Sequence, residues 1–245
     1  MIDAPIDNDI DYLYVADDLE APKTFQEATQ CKNSDKWVKA MEDEMNSLKE
    51  NETFVHTTLP HGTNLIGGKW VYALKMGLNG EKRYKARYVA KGYSQVPDID
   101  YKETFCPTAR ITSIRMLLQI AMQQNLKVHQ MDVKTAFLNG PIDCELFVEQ
   151  PKGFEKLGSN GEKLVWKLNK SLYGLKQSGR IWNLLLHNYL IEKGFKQSQT
   201  DMCLYTKRND NCCVILLVWV DDLILAASDE HVLKTEKPMF FSIFR

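Results

Sequence analysis

Apolar residues recur at helical spacing in three segments of the chain, which predicts three amphipathic helices. The segments are residues 34–48, 111–125 and 178–194, and ordered structure is expected to begin near Ser34. The predicted inward positions are Trp37, Met41, Met45 and Leu48; Ile114, Leu117, Leu118 and Ala121; and Ile181, Leu184, Leu185 and Tyr189. Ser34 or Asp35 is a suitable N-cap for the first helix.

Alternating and continuous apolar runs predict the strands. Two alternating runs flank Asn79-Gly80 within residues 69–93, which is a strong signal for a tight β-hairpin. Two continuous apolar runs predict a second hairpin whose two-residue turn is Asp221-Asp222. Shorter strands are predicted at residues 127–133, 144–150 and 163–168. Because helices and hairpins interleave without a βαβ repeat, we expect an α+β fold with an antiparallel sheet backed by helices.

Charge is unevenly distributed along an otherwise ordinary composition. The chain has 245 residues, 44% of them hydrophobic and 26% charged, which is typical of a folded domain. Residues 1–22 carry seven acids and no lysine or arginine, whereas the remainder carries 31 basic against 25 acidic residues. This asymmetry predicts an acidic, flexible leader before a mildly basic body. With no signal peptide, no CxxC pair and no run long enough for a membrane helix, we expect an intracellular protein, cytoplasmic or nuclear, without a membrane partner.

Much of the positive charge falls on the first predicted hairpin. Residues 69–93 contain one acid, Glu81, and seven basic residues: Lys69, Lys75, Lys82, Arg83, Lys85, Arg87 and Lys91. Basic side chains interleaved with tyrosines are typical of a surface that contacts phosphates and bases. The same lysines would also protect an exposed sheet edge from aggregation, so this segment alone leaves both interpretations open.

The second hairpin raises a question of charge, because Asp221 and Asp222 interrupt an apolar run from Val214 to Ala227. Aspartate is a common turn residue, so a hairpin turn alone could explain the pair. A third carboxylate, Asp132, lies next to the end of the predicted strand 127–133. If that strand lies beside the hairpin, three carboxylates meet at the end of one sheet, where they would repel one another unless a cation bound them.

Two Mg²⁺ ions would resolve this repulsion. Mg²⁺ prefers hard oxygen ligands and is often held by one or two carboxylates together with substrate phosphates. A pair of such ions supports in-line phosphoryl transfer by stabilising the attacking and the leaving oxygen. Mn²⁺ accepts the same ligands. The carboxylates therefore predict a two-metal site for nucleotidyl transfer, with either ion possible.

Four longer segments carry a family resemblance. They are "HQMDVKTAFLNGPIDCELFVEQPKGF", "LVWKLNKSLYGLKQSGRIWN", "TDMCLYTK" and "WVDDLILAASDE". In this order and spacing, they resemble the reverse transcriptase of copia-type retrotransposons over residues 25–230. The resemblance implies a right-hand polymerase fold with fingers and palm. It also implies RNA-directed DNA polymerase activity with a primed RNA or DNA template and deoxynucleoside triphosphates. Residues 1–24 and 231–245 are then expected to be the acidic flexible leader and a divergent, truncated C-terminal tail.

The resemblance also assigns roles to individual residues. Asp132, Asp221 and Asp222 would be the catalytic, metal-binding carboxylates, and the backbone carbonyl of Val133 would join the metal shell. The residues it assigns to the nucleotide site are Lys85, Arg87, Phe137, Tyr173, Gly174 and Gln177.

Within the nucleotide site, each group has its own expected task. Lys85 and Arg87 match cations that neutralise the incoming triphosphate. Phe137 matches an aromatic gate that favours deoxynucleotides, although a core aromatic would look the same. Tyr173, Gly174 and Gln177 would lie under the template base and the incoming nucleotide. Lys176 and Arg180 either belong to that segment or only solvate its loop.

Two features depart from the resemblance. Trp219 stands where the family usually has tyrosine, so the placement of the primer end is expected to differ. After "SDEHVLKTEK" the sequence runs "PMFFSIFR" to Arg245, where the family continues into a thumb and an RNase H region. Protease and integrase regions of such polyproteins have no counterpart here either. The sequence thus predicts an RNA-directed DNA polymerase; the alternative is an inactive, truncated relic that at most binds nucleic acid.

Overall fold

The computed structural model describes residues 21–77, 80–209 and 212–234. Its helices are α1 (Phe25–Gln30), α2 (Ser34–Glu50), α3 (Ile111–Gln123) and α4 (Ser178–Glu192). The expected start of order near Ser34 is wrong, because α1 precedes it and the Thr24 side chain accepts the Glu27 amide as its N-cap. The N-cap of α2 is Asn33, not Ser34 or Asp35, and its side chain makes no capping bond.

The strands form three sheets. They are β1 (Phe54–Thr57), β2 (Leu65–Ile66), β3 (Gly68–Met76), β4 (Lys82–Ala90), β5 (Lys127–Asp132), β6 (Phe147–Val148), β7 (Val165–Leu168), β8 (Lys196–Gln197), β9 (Leu204–Asn209), β10 (Cys212–Trp219) and β11 (Asp222–Ala227). The sheet orders are β1-β7-β6-β2, β5-β11-β10-β9-β8 and β3-β4. The described strands pair antiparallel throughout, except that β2 pairs parallel with β6. The mixed α and β class is confirmed, and its largest sheet is antiparallel, as predicted.

The five-stranded sheet lies between two helices. Side chains of α4, among them Trp182 and Leu186, pack in one buried cluster with Leu223 and Leu225 of β11. Leu117 and Ala121 of α3 pack in a second cluster with Ala226 of β11. Since residues 225 and 226 point to opposite faces of a strand, α3 and α4 cover opposite faces of this sheet. The sheet is therefore packed between two helices.

The predicted helix faces are only partly right. In α2 the inward positions Trp37, Met41, Met45 and Leu48 are all buried. Leu118 of α3 and Leu184 of α4 are each 43% exposed, so their predicted inward orientation is wrong. The buried residues of α4 are Ser178, Ile181, Trp182, Leu186 and Leu190. The apolar pattern of α4 continues almost all the way around the helix, so spacing alone could not identify its inward face.

The first predicted hairpin is confirmed as β3 and β4, which pair from Gly68↔Ala90 to Met76↔Lys82. Asn79 of the predicted turn lies outside the described residues, and Gly80 has a φ of +75°. Cross-strand partners lie on one face of a pair. The register therefore gathers five basic residues on one face, which we call the basic face: Lys69, Lys75, Arg83, Lys85 and Arg87. The other face carries aromatic side chains, including Tyr72, which packs edge-on against Trp37 of α2.

The second hairpin is also confirmed, but its turn is displaced by one residue. Trp219 and Asp222 are the last cross-strand partners, so the turn residues are Val220 and Asp221 rather than Asp221 and Asp222. Val220 has a φ of +57°. A positive φ at the first turn residue suits the two-residue turns that match the twist of a hairpin. Asp222 consequently belongs to β11, whose fixed backbone determines where its side chain lies.

Candidate active site

Asp132 and Asp222 lie directly opposite each other at the end of the five-stranded sheet. Strands β5 and β11 pair antiparallel, and Asp132 and Asp222 are cross-strand partners in that register. Side chains of such partners point to the same face, with Cβ atoms roughly 4.5–5.5 Å apart. The predicted adjacency of strand 127–133 and the apolar hairpin is therefore confirmed.

The turn brings Asp221 beside the same strand. The Val133 backbone amide donates a hydrogen bond of 2.9 Å to the Asp221 carbonyl oxygen, directly after the Asp132–Asp222 pair. The indole Nε1 of Trp182 in α4 donates one of 2.7 Å to the Val220 carbonyl oxygen. Both turn carbonyls thus accept hydrogen bonds from neighbouring elements, and the turn is attached to β5 and to α4.

The exposure and chemistry of these carboxylates suit a hard cation. Asp132 is exposed, Asp221 and Asp222 are half-buried, and Gln130 Nε2 donates to Asp222 Oδ1 at 3.1 Å. Within the described residues, no three His, Cys, Asp or Glu side chains converge closely enough to form a metal cluster. Two facing carboxylates still fit Mg²⁺, which commonly completes its shell with water and substrate phosphates.

A row of aromatic and cationic side chains leads from these carboxylates to the basic hairpin formed by β3 and β4. Phe137, five residues after Asp132, meets the Tyr173 ring edge-on with centroids 5.3 Å apart. Arg87 lies over the same Tyr173 ring, with its Cζ 4.8 Å from the ring centroid. Burial raises the pKa of Tyr173 to about 12; Arg87 opposes this rise, and the charges of Glu44, Asp221 and Asp132 add to it. Arg87, Tyr173 and Phe137 are thus brought together with the carboxylates.

Glu44 of α2 is a neighbour of this cationic group. Its Oε1 accepts the Tyr88 backbone N–H of β4 at 3.2 Å. Burial raises the pKa of Glu44 to about 7, although the Tyr88 hydrogen bond and the positive charges of Arg87 and Lys85 oppose the rise. Lys85 and Glu44 both line a groove between α2 and β4. Lys85 therefore borders the same groove as Glu44, and the charge of Arg87 acts on both Glu44 and Tyr173.

Gly174 is exposed but lies close against β4, whereas Gln177 is buried. The Ala90 amide donates to the Tyr173 carbonyl oxygen at 2.8 Å, and Gly174 has a φ of +88°. A Cβ at Gly174 would overlap the Ala90 carbonyl oxygen. Gln177 is 1% exposed; it accepts from Gln95 Nε2 at 2.9 Å and donates to the Asp100 carbonyl at 2.9 Å. The structure therefore places Gln177 beneath the loop, not on its surface.

The remaining predicted residues lie around this loop. Lys176 is exposed, with its Nζ 5.4 Å from the centroid of the Tyr101 ring. Arg180 is half-buried in the first turn of α4, and Trp219, beside the aspartate turn, is 42% exposed. The Val133 side chain is buried under the sheet.

Sequence reasoning missed three residues that organise the site: Glu44, Gln95 and Trp182. Glu44 carried a signal, since it follows Met41 by three residues and precedes Leu48 by four, which places an acid on the inward stripe of α2. Trp182 lies inside a quoted motif, but no spacing rule connects it to residue 220. Gln95 accepts the Lys176 amide and donates to Gln177, and no sequence pattern connects it to residues so far along the chain.

Comparison with known families identifies the class of this fold and site. The profile of the reverse transcriptase (RNA-dependent DNA polymerase) family matches residues 51–245, and the chain belongs to this family. The match includes residues 231–245, which the sequence analysis set apart as a tail. Members of the family generally use divalent metal ions and act on a nucleic-acid template and primer with deoxynucleoside triphosphates.

Individual relatives support the copia-type resemblance. The chain is 40% identical over 225 residues to the retrovirus-related Pol polyprotein from transposon TNT 1-94 of Nicotiana tabacum. It is 36% identical over 221 residues to that from transposon RE2 of Arabidopsis thaliana, and 31% identical over 201 residues to the transposon Ty1-OR Gag-Pol polyprotein of Saccharomyces cerevisiae. These alignments cover 91%, 89% and 81% of this chain but 17%, 15% and 11% of the relatives. The chain thus spans under a fifth of the relatives' length.

Among the described helices, none is long and apolar enough to cross a membrane.

Proposed function

We propose that this chain is an RNA-directed DNA polymerase that joins deoxynucleotides to the 3′-hydroxyl of a primer on an RNA or DNA template. The observation that carries the proposal is the register of β5 and β11, which sets Asp132 opposite Asp222 with the Asp221 turn alongside. This geometry lies in a chain that belongs to the reverse transcriptase family. In the reaction, the primer 3′-hydroxyl gives up its proton to solvent and its oxygen bonds to the α-phosphorus, while the bond from that phosphorus to the oxygen bridging to the β-phosphate breaks and pyrophosphate leaves.

The three carboxylates would supply the negative charge that binds the metal ions of this reaction. Asp132, Asp221 and Asp222 would hold two Mg²⁺ or Mn²⁺ ions, with the Val133 carbonyl as a further oxygen ligand. When bound, such ions activate the primer hydroxyl and stabilise the leaving pyrophosphate. The contribution of the protein is to keep the carboxylates on a sheet packed between two helices, since ligands must be held close to their productive geometry.

Cationic and aromatic residues complete the proposed nucleotide site. Arg87 and Lys85 on the basic face would neutralise the triphosphate, where the fork of an arginine suits phosphate oxygens. Phe137, five residues after Asp132 and in edge-on contact with Tyr173, would act as the gate against a ribose 2′-hydroxyl. Gly174, whose missing side chain lets the loop lie against β4, would contact the nucleotide, and buried Gln177 would hold that loop from below.

Under this assignment, the sheets and helices correspond to the parts of a right-hand polymerase. The five-stranded sheet with α3 and α4 would be the palm, and the basic hairpin with α2 would be the fingers, within a catalytic region of residues 25–230. We propose that residues 1–24 and 231–245 are not required for the chemistry.

Primer extension tests the proposal. The purified chain, given a primed RNA template, deoxynucleoside triphosphates and Mg²⁺, should extend the primer, and Asp222→Asn should lower the rate by 10²-fold or more, about the loss seen when one group that stabilises transition-state charge is removed. Asp229→Asn is the matched control, because its side-chain oxygen can still accept the Val232 amide. Extension by Asp222→Asn at the parent rate would contradict the proposal.

The basic face supports one alternative, a chain that binds nucleic acid without polymerising. It is favoured if folded parent and Asp222→Asn proteins both fail to incorporate nucleotides with Mg²⁺ or Mn²⁺, yet bind an RNA–DNA duplex in a salt-sensitive way.

A further inference from the structure

We propose that Trp182 is a positioning residue for the site, because its indole N–H fixes the turn that carries Asp221 and directly precedes Asp222. Trp182 is 1% exposed, and its Nε1 donates to the Val220 carbonyl oxygen at 2.7 Å. The inference rests on the proposed function only for its catalytic consequence. The structural claim, that the indole holds the turn, stands on this geometry.

The turn needs support because its first residue is strained. Val220 has a φ of +57°, and a β-branched residue in this region is a genuine outlier. Such conformations persist only where surrounding contacts determine them. The Val220 carbonyl accepts from Trp182 and the next carbonyl, of Asp221, accepts from Val133 at 2.9 Å. The turn is thereby attached to α4 on one side and to β5 on the other.

Trp182 is itself firmly placed. It belongs to the buried cluster that α4 forms with the sheet, together with Leu186 and Leu223. Its indole therefore has little freedom to follow a turn that moves. Because this donor is fixed to α4, it also fixes the turn residue next to Asp221 relative to α4. Asp221 and Asp222 are themselves half-buried.

The chain offers a control of matched chemistry, Trp166 of β7. Trp166 is also fully buried, but its Nε1 has no hydrogen-bond partner among the described residues. Replacing either tryptophan by phenylalanine removes similar apolar volume from the interior. Only Trp182→Phe also removes a hydrogen bond to the turn, so the difference between the two variants isolates that bond.

Hydrogen exchange of the Val133 amide is the primary measurement, since that amide bonds to the turn. In Trp182→Phe its protection should fall about fivefold or more relative to Trp166→Phe, as expected for the loss of one hydrogen bond. In case Trp182→Phe does not fold, the second variant carries 3-benzothienylalanine at position 182, which keeps the ring shape and replaces N–H by sulfur. Equal Val133 protection in the sulfur variant and the parent would overturn the inference.

Primer extension at varied Mg²⁺ concentration is the second measurement. Trp182→Phe should lower kcat about tenfold and raise the Mg²⁺ concentration for half-maximal rate, while KM for the nucleotide stays within about twofold, since small misplacements of catalytic groups are costly. Trp166→Phe should leave the Mg²⁺ dependence as in the parent. Loss of Val133 protection with an unchanged Mg²⁺ dependence would overturn the positioning role. The exchange measurement requires no catalysis, so failure of the polymerase assignment would be recognised separately by the Asp222→Asn comparison.

Discussion

At the scale of single residues, the least expected feature is a carboxylate beside the proposed triphosphate cations. Glu44 accepts the Tyr88 amide at the edge of β4 and has a pKa of about 7, raised by burial against the opposing charges of Arg87 and Lys85. Because a raised pKa means that the folded state holds the proton more tightly than the unfolded chain, Glu44 couples folding to pH near neutrality.

We expect Glu44→Gln to remove this coupling. In the parent, the tight binding of a proton by Glu44 stabilises the folded state over the unfolded chain, and this contribution is complete below pH 4.5. It is lost as the pH rises through the folded-state pKa of about 7. A glutamine oxygen can still accept the Tyr88 amide but does not ionise. Urea unfolding at pH 5 and pH 8 should therefore show Glu44→Gln gaining stability relative to the parent at the higher pH.

Glu42→Gln is the control, since Glu42 is an exposed acid on the same helix. If the difference in unfolding free energy between parent and Glu44→Gln is the same at both pH values, the coupling does not exist.

At the scale of elements, the loop from Tyr173 to Gln177 joins the basic hairpin to the carboxylates. Its backbone meets β4 through the hydrogen bond from Ala90 to Tyr173, and Gly174 allows the approach that a Cβ would prevent. The sequence marked this segment by resemblance alone. Its close contact with β4 was not predictable, because it depends on two backbones that are far apart along the chain.

Gly174→Ala should therefore be more destabilising than an ordinary glycine substitution. Gly62→Ala is the comparison, because Gly62 also has a positive φ, +79°, but nothing lies within 4 Å of a Cβ placed there. Both variants incur backbone strain, whereas only Gly174→Ala adds a steric overlap, which costs about 1–3 kcal/mol more. Denaturant unfolding measures the difference, and equal losses in the two variants would show that the contact with β4 is not tight.

Helix and strand predictions succeeded where one face of an element is polar. The inward stripe of α2 was predicted correctly because charged residues occupy its outer face. In α4 apolar residues are spread around the helix, so the predicted Leu184 is exposed and Trp182 is buried instead. Strands β2 and β8 have two residues each, which is too short for any period to appear.

At the scale of the whole molecule, the candidate site depends on pairing between distant segments. Asp132 and Asp222 are 90 positions apart in the sequence and become neighbours only through the register of β5 and β11. The apolar pattern of the sequence predicted both strands, and the family resemblance predicted a catalytic role for the aspartates at their ends. The parallel pairing of β2 with β6 and the burial of Gln177 followed from no local signal, since both depend on packing between remote elements.

The basic face predicts a salt-dependent interaction of the whole molecule with nucleic acid. Replacing Lys69 and Lys75 by glutamine should weaken binding to an RNA–DNA duplex and lower the slope of log affinity against log salt by about 1–2, since each phosphate contact contributes about 0.9. Fluorescence anisotropy at several salt concentrations measures the slope. Lys193→Gln, at the end of α4, should leave it unchanged. A slope that is the same in all three proteins would mean that the basic face does not contact phosphates.

The register of β5 has a consequence for which mutations the proposed site could tolerate. β5 is the outermost strand of its sheet and ends at Asp132, and alternate residues of a strand point to opposite faces. An in-frame loss of one codon between positions 127 and 131 would shift the strand by one residue, or turn Asp132 away from Asp222. Most point substitutions in that stretch would keep both aspartates in place. Under the proposed function, we therefore expect active relatives to keep the length of this strand as well as the three aspartates.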